Sequence, residues 1–322
     1  MRTSPTVDPL ESTWPPPPVP SPEAEHGPAA LAAVSFGLTD PGRERRTNED
    51  RFLIASPASA LWMAREGNHA GALGYAEITG DLFAVADGIG GHTGGAQASA
   101  IAIETMSHFF LSTLKWVFAL GGPDALGDGM LEQLDAVLRW ADCRVREEAA
   151  GNPALREMGS TLTVAYRYGS FLHIGHVGDS RCYILREGEL HRLTHDHTVV
   201  GEMVRQGLLT PEEAAHHAAR HILTGALGGI TPEVSPQVRR VRIRAGDVLV
   251  MCTDGLTEMV KEKEIKAMVQ RSPTPREACE NLVQHANVLG GRDNVTVVVA
   301  HFDAALSPPR PRPARRPTGS LA

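Results

Sequence analysis

Cysteine is scarce: four in 322 residues, at Cys143, Cys182, Cys252 and Cys279, with no CxxC pair and no metal-ligand spacing. That argues against a disulfide scaffold. The apolar or periodic segments around three of them read as buried free thiols, which suits a reducing compartment. Long hydrophobic runs are missing, so no transmembrane helix is expected. The N-terminus lacks a basic-then-apolar leader, and the chain reads as cytoplasmic. Excess positive charge is missing too: the formal net charge is -7, which argues against a nucleic-acid binder. No repeat of solenoid length is visible.

What is present is material for a sizeable core, at 42% hydrophobic residues. Residues 1–30 are rich in Pro, Ser and Glu without apolar periodicity and read as a disordered arm. Residues 305–322 read as a disordered basic Pro/Arg tail, either plainly solvated or a docking site for an acidic partner or a proline-binding module. Between them, 31–304 runs as one domain without a linker. Strand-like runs recur: AVSFGL, RFLIA, LFAVA, TLTVAYRY, SFLHIGHVG, RCYILR, QVRRVRIR, DVLVMCT and NVTVVVAHF. Turn signals at Tyr168-Gly169-Ser170 and Arg186-Glu187-Gly188-Glu189 predict antiparallel hairpins. Helices are expected over 95–119, 131–149 and 274–288, the last opened by Thr274-Pro275-Arg276-Glu277. Thr210-Pro211-Glu212-Glu213 repeats that signature before a shorter helix. The fold class is α+β with a mainly antiparallel core.

The stretch LFAVADGIGGHTGG, residues 82–95, ends a core strand on Asp87 and surrounds it with glycines. DVLVMCTDGL repeats the device with Asp254, and FLHIGHVGDSR with Asp179. Asp293 in GGRDNVTVVVAHF and Glu49-Asp50 in RERRTNEDRFLI stand just before strands. One such Asp is usually a turn former. As a set on neighbouring strand ends they form a rim of carboxylates that repel unless cations sit among them. Oxygen ligands of this kind suit Mg2+ or Mn2+. No Cys/His set competes: His191, His195, Asp196 and His197 in HRLTHDHT fit no usual zinc spacing.

In order, the chain carries R-x-x-N-E-D (Arg45–Asp50), D-G-x-G-G (Asp87–Gly91), G-S-T (159–161), G-D-S-R (178–181), T-x-D-H (194–197), T-D-G (253–255) and R-D-N (292–294). This order, over residues 33–303, resembles the metal-dependent type-2C (PPM) Ser/Thr protein phosphatases in their bacterial form. The resemblance implies two packed antiparallel sheets flanked by helices, an αββα sandwich. It implies hydrolysis of phosphoserine and phosphothreonine by direct attack of a water bridging two Mn2+ or Mg2+ ions, with a possible third ion. Asp87 would bridge the pair and act in catalysis, with the Gly88 carbonyl on one ion. Asp254 and Asp293 would hold the other. Glu49 and Asp50 would act on the pair through waters, Asp179 on the third ion, and Arg45 would bind phosphate. Phosphorylated Ser/Thr proteins, and a cognate Ser/Thr kinase that the enzyme opposes, are the implied partners.

The chemistry agrees: two metals generate a nucleophile and clamp the ester, and a guanidinium holds phosphate oxygens. No C-x5-R loop is present for a covalent phospho-enzyme. There are departures. Ile89 stands where eukaryotic relatives carry a histidine proposed as general acid. His92 lies out of register and reads as a loop histidine or a substitute acid. Residues 199–230 resemble a flap near the site, in which Arg220 is a substrate contact or an ordinary helix-end charge. The Ala/Gly-rich stretch 57–80 has no functional reading. The competing readings are a phosphoprotein-binding module without turnover and a small-molecule phosphatase.

Overall fold

Leu82, Ala84 and Ala86 point one way from their strand, Phe83 and Val85 the other, and all five are fully buried. A strand alternates faces with period two, so burial on both requires something packed on each side. The computed structural model supplies both layers. It describes residues 31–56, 80–90, 93–120, 129–229 and 234–304. The N-terminal arm, nearly all of 57–80, His92 and the basic tail lie outside them.

The strands are β1 (Leu31–Asp40), β2 (Arg51–Ala55), β3 (Gly80–Ala86), β4 (Gly88–Ile89), β5 (Gly159–Ser160), β6 (Leu162–Tyr168), β7 (Phe171–Val177), β8 (Arg181–Arg186), β9 (Glu189–Arg192), β10 (Leu227–Gly228), β11 (Gln237–Arg242), β12 (Val248–Cys252) and β13 (Val295–Ala304). One sheet has the order β1-β13-β12-β8-β9, a second β11-β7-β6-β3-β2, and a small third sheet β10-β5-β4. The pairings are antiparallel. The helices are α1 (Thr93–Leu120), α2 (Gly129–Gly151), α3 (Val199–Arg205), α4 (Pro211–Ala215), α5 (Asp254–Thr257), α6 (Glu262–Arg271) and α7 (Pro275–Val288). Among the described residues no helix is long and apolar enough to cross a membrane.

Three apolar clusters define the layers. Phe83, Ile174, Met251, Val298 and Phe302 fill the space between the large sheets. Met106, Leu134 and Leu138 of α1 and α2 cover the other face of β3 and β6. Ile265, Leu282 and Val283 of α6 and α7 cover β12 and β13. This is the expected α+β sandwich of two antiparallel sheets between helices. Thr274 caps α7 by accepting the Glu277 N–H at 3.2 Å, with Pro275 opening the helix. Glu187 (φ 51°) and Gly188 (φ 82°) form the tight turn between β8 and β9, the left-handed pair that a two-residue hairpin favours. Cys182, Cys252 and Cys279 are buried thiols, whereas Cys143 is exposed on α2.

Candidate metal centre

The sandwich gathers the acids at one end. Asp50 directly precedes β2, Asp87 follows β3, Asp179 lies in the turn from β7 to β8, Asp254 opens α5 after β12, and Asp293 stands two residues before β13. Their charges act on one another. Burial raises the Asp87 carboxyl well above the usual range, and Asp50, Asp254 and Asp179 push it further. The Asp87 and Asp254 carboxyls act directly on one another. Asp254 is raised by burial and by Asp293. Asp179 is raised well above its range by burial, then by Asp254 and Asp196. Asp50 is pushed up to about 7, chiefly by burial and against two hydrogen bonds that favour its charge.

Those two bonds come from hydroxyls. Thr253 and Thr296 donate to Asp50 Oδ2 at 2.8 and 2.7 Å. Asp50 Oδ1 and Asp254 Oδ1 are buried and accept no hydrogen bond. A buried acceptor without a donor is costly, and a buried carboxylate without a counter-charge costs more. A hard divalent cation removes both penalties, because it binds carboxylate oxygen and neutralises the mutual repulsion. The residues present therefore fit Mg2+ or Mn2+.

The surrounding backbone is fixed. Thr161 Oγ1 accepts the Asp87 N–H at 3.0 Å, while Thr161 N–H and Ser160 Oγ both donate to the Asp87 carbonyl at 2.9 Å. Asn294 accepts the Glu49 N–H at 2.8 Å and donates to the carbonyls of Pro41 and Thr47 at 3.0 and 2.9 Å. It thereby staples the loop that carries Arg45, Glu49 and Asp50. Gly88 and Gly95 touch backbone to backbone, and a Cβ on Gly95 would strike the Glu49 carboxylate.

Arg45, with its side chain 54% exposed, donates from Nη2 to Asp293 Oδ2 at 2.7 Å, so the guanidinium borders the rim. Arg43 and Arg46, on the same loop, are exposed. Arg220 is exposed on the flap and bears electrostatically on Glu258. His92 lies outside the described residues. Arg181 of the G-D-S-R motif grips Asp196 at 2.7 and 3.1 Å, and Arg192 also pairs with Asp196. That cluster is thus a structural ion-pair network.

A mixed histidine–carboxylate set does exist beside the rim: His221, Asp254 and Glu258 offer ligand atoms within 4.8 Å of one another. His221 Nδ1 lies 2.5 Å from Glu258 Oε1, and burial with Asp254 nearby pushes Glu258 up to about 7. The two side chains come from the flap and from α5's far end, so no sequence spacing announces them. Thr161, Thr253, Thr296 and Asn294 also went unassigned in sequence, although each stands inside or beside a motif already singled out.

A family model described as protein phosphatase 2C matches residues 74–286. The serine/threonine protein phosphatase PstP of Mycobacterium tuberculosis is 38% identical over 219 residues, 68% of this chain and 40% of that protein, so the chain spans about two fifths of that relative's length. Protein phosphatase PhpP of Streptococcus pneumoniae is 31% identical over 273 residues, 83% of this chain and 96% of that protein. A crystal structure of the catalytic domain of a PstP in complex with two manganese ions superposes with a TM-score of 0.65 at 33% identity, covering 85% of this chain and 99% of that one. With the sandwich, the carboxylate rim and these matches in agreement, the chain belongs to the protein phosphatase 2C family.

Proposed function

We propose that this chain is a metal-dependent phosphatase of phosphoserine and phosphothreonine in proteins. The observation that carries the reading is the convergence of Asp50, Asp87, Asp179, Asp254 and Asp293 with two buried carboxylate oxygens that accept no hydrogen bond. Asp87 with the Gly88 carbonyl, Asp254 and Asp293 would hold two Mn2+ or Mg2+ ions; Glu49 and Asp50 would act on the pair through waters, and Asp179 would help hold a third, weaker ion. Bound there, the cations supply a water of lowered pKa and a positive clamp for the phosphoryl oxygens. The two-manganese PstP structure supports the reading of two cations.

The chain's own groups do the positioning. Thr253 and Thr296 fix one oxygen of Asp50, and its other oxygen is buried and accepts no hydrogen bond. Arg45, half exposed at the edge, turns its guanidinium to the phosphate oxygens of an incoming phosphoprotein. Water attacks phosphorus directly and the P–O bond to the serine or threonine oxygen breaks; the proton the water gives up passes through solvent to the departing oxygen, which leaves as the alcohol, and no covalent phospho-enzyme forms. A Ser/Thr kinase whose products this enzyme reverses is the implied partner.

The test is hydrolysis of a phosphothreonine peptide with EDTA, Mg2+ or Mn2+, beside Asp87→Asn. We expect activity only with metal, and a fall in kcat/KM of at least about 100-fold in the variant, the scale of losing one transition-state stabilising group. Unchanged hydrolysis by Asp87→Asn would overturn the assignment. Cleavage of small phosphate esters without cleavage of phosphopeptides would make it a metabolite phosphatase.

A further inference from the structure

The flap hangs from a narrow stem. Val199 N–H donates to the Ile222 carbonyl at 2.9 Å, Thr224 N–H to the His197 carbonyl at 2.8 Å, and Thr198 bridges Leu223. α3 and α4 lie beyond that stem. The stem in turn holds one glycine of the rim by both its backbone groups. His197 N–H donates to the Gly178 carbonyl at 2.7 Å, and Gly178 N–H donates to His197 Nδ1 at 3.3 Å. Gly178 immediately precedes Asp179.

The arrangement cannot slip locally. Gly178 has φ 112°, and a Cβ there would run into Thr161 Cγ2 at 2.5 Å. The His197 ring stands 4.9 Å from that of His176, a buried side chain whose nitrogens are engaged by the Thr163 hydroxyl at 2.8 Å and the His195 carbonyl at 3.0 Å. Thr161, packed against Gly178, also takes the Asp87 N–H at 3.0 Å and meets the Ser180 hydroxyl at 2.8 Å. A line of direct contacts therefore runs from the flap stem through His197, Gly178 and Thr161 to Asp87.

We propose that His197 is a positioning residue that clamps Gly178, so that the flap stem and the turn carrying Asp179 move as one body. Flap position and cation affinity at the rim are then linked: a phosphoprotein that closes the flap also fixes Asp179. The proposal rests on the phosphatase reading for its functional meaning and on the contacts above for its mechanics.

The test compares His197→Phe with His197→Asn in the full chain. Asn can present an oxygen near the Nδ1 position, whereas Phe keeps the ring volume without an acceptor. Hydrogen exchange reads the mechanics. In His197→Phe we expect exchange about tenfold faster in both 178–181 and 198–224, and in His197→Asn a return to near wild-type rates. Mn2+ binding, followed by EPR of the free ion, is expected to weaken about tenfold in Phe and to recover in Asn, the scale of losing a group that orients a ligand. Gly225→Ala is the second probe should the Phe variant fail to fold. Its Cβ would press to 3.3 Å from His197 Nδ1, and it should loosen both segments together. Faster exchange in the flap alone, or an Asn variant as impaired as Phe, would overturn the proposal. If the wild type hydrolyses no phosphopeptide, the phosphatase reading fails while exchange and Mn2+ binding still decide the clamp.

Discussion

Asp50 shows what ionising one buried carboxyl does to stability. Its carboxyl titrates near 7 in the fold, against an ordinary value of 3.8. A raised acid keeps its proton in the folded state after the unfolded state has lost it. The stability it contributes is therefore complete below about pH 4 and is lost as pH rises towards 7. The EDTA-treated protein should accordingly lose stability between about pH 4 and 7, and Asp50→Asn should soften that loss, raising the melting temperature at pH 7 by about 2–4 °C per kcal/mol relieved. Thermal melts across that range, with and without Mn2+, check it; a flat profile in EDTA would contradict it. The carboxylates themselves were legible in sequence, because an acid at the end of an apolar run is a local pattern. Thr253, Thr296 and Asn294 were not, since their work is defined by partners 203, 246 and 245 residues away along the chain.

At the scale of elements, β3 carries the heaviest structural duty, being buried on both faces and ending at Asp87. Phe83→Ala should cost about 3–5 kcal/mol, the usual range for a large aromatic truncated in a core. Urea unfolding of the metal-free protein measures it, and a cost below about 1 kcal/mol would mean the two sheets pack more loosely than described. The long strands were readable as apolar runs and their turns from glycine, while β4, β5 and β10 were not. Each is two residues long, contains a glycine and exists only by pairing with the others. The same holds for α6, whose buried face is only Ile265 and Val269. Nor did any local signal join His221 to Glu258, because flap and α5 meet only after folding.

For the whole molecule, the register of β1 against β13 sets a polarity. Asp40 pairs with Val295 at the rim, and Leu31 with Ala304 at the other end. Ten residues of strand separate the two by about 30 Å. Residues 1–30 and 305–322 are thus attached far from the carboxylates, and 31–304 alone should keep kcat on a short phosphopeptide within about twofold of the full chain. Steady-state kinetics of the truncated protein tests this, and a larger loss would assign a tail to the catalytic step. The same pairing makes Leu31 and Ala304 neighbours, so the path through the fold is close to a closed circuit. A short peptide could join the two, and new termini could open at the Glu187–Gly188 turn, without altering a strand. The centre depends on which strand ends meet in space. The order in which the ribosome delivers them is incidental, and this scaffold is a natural subject for circular permutation.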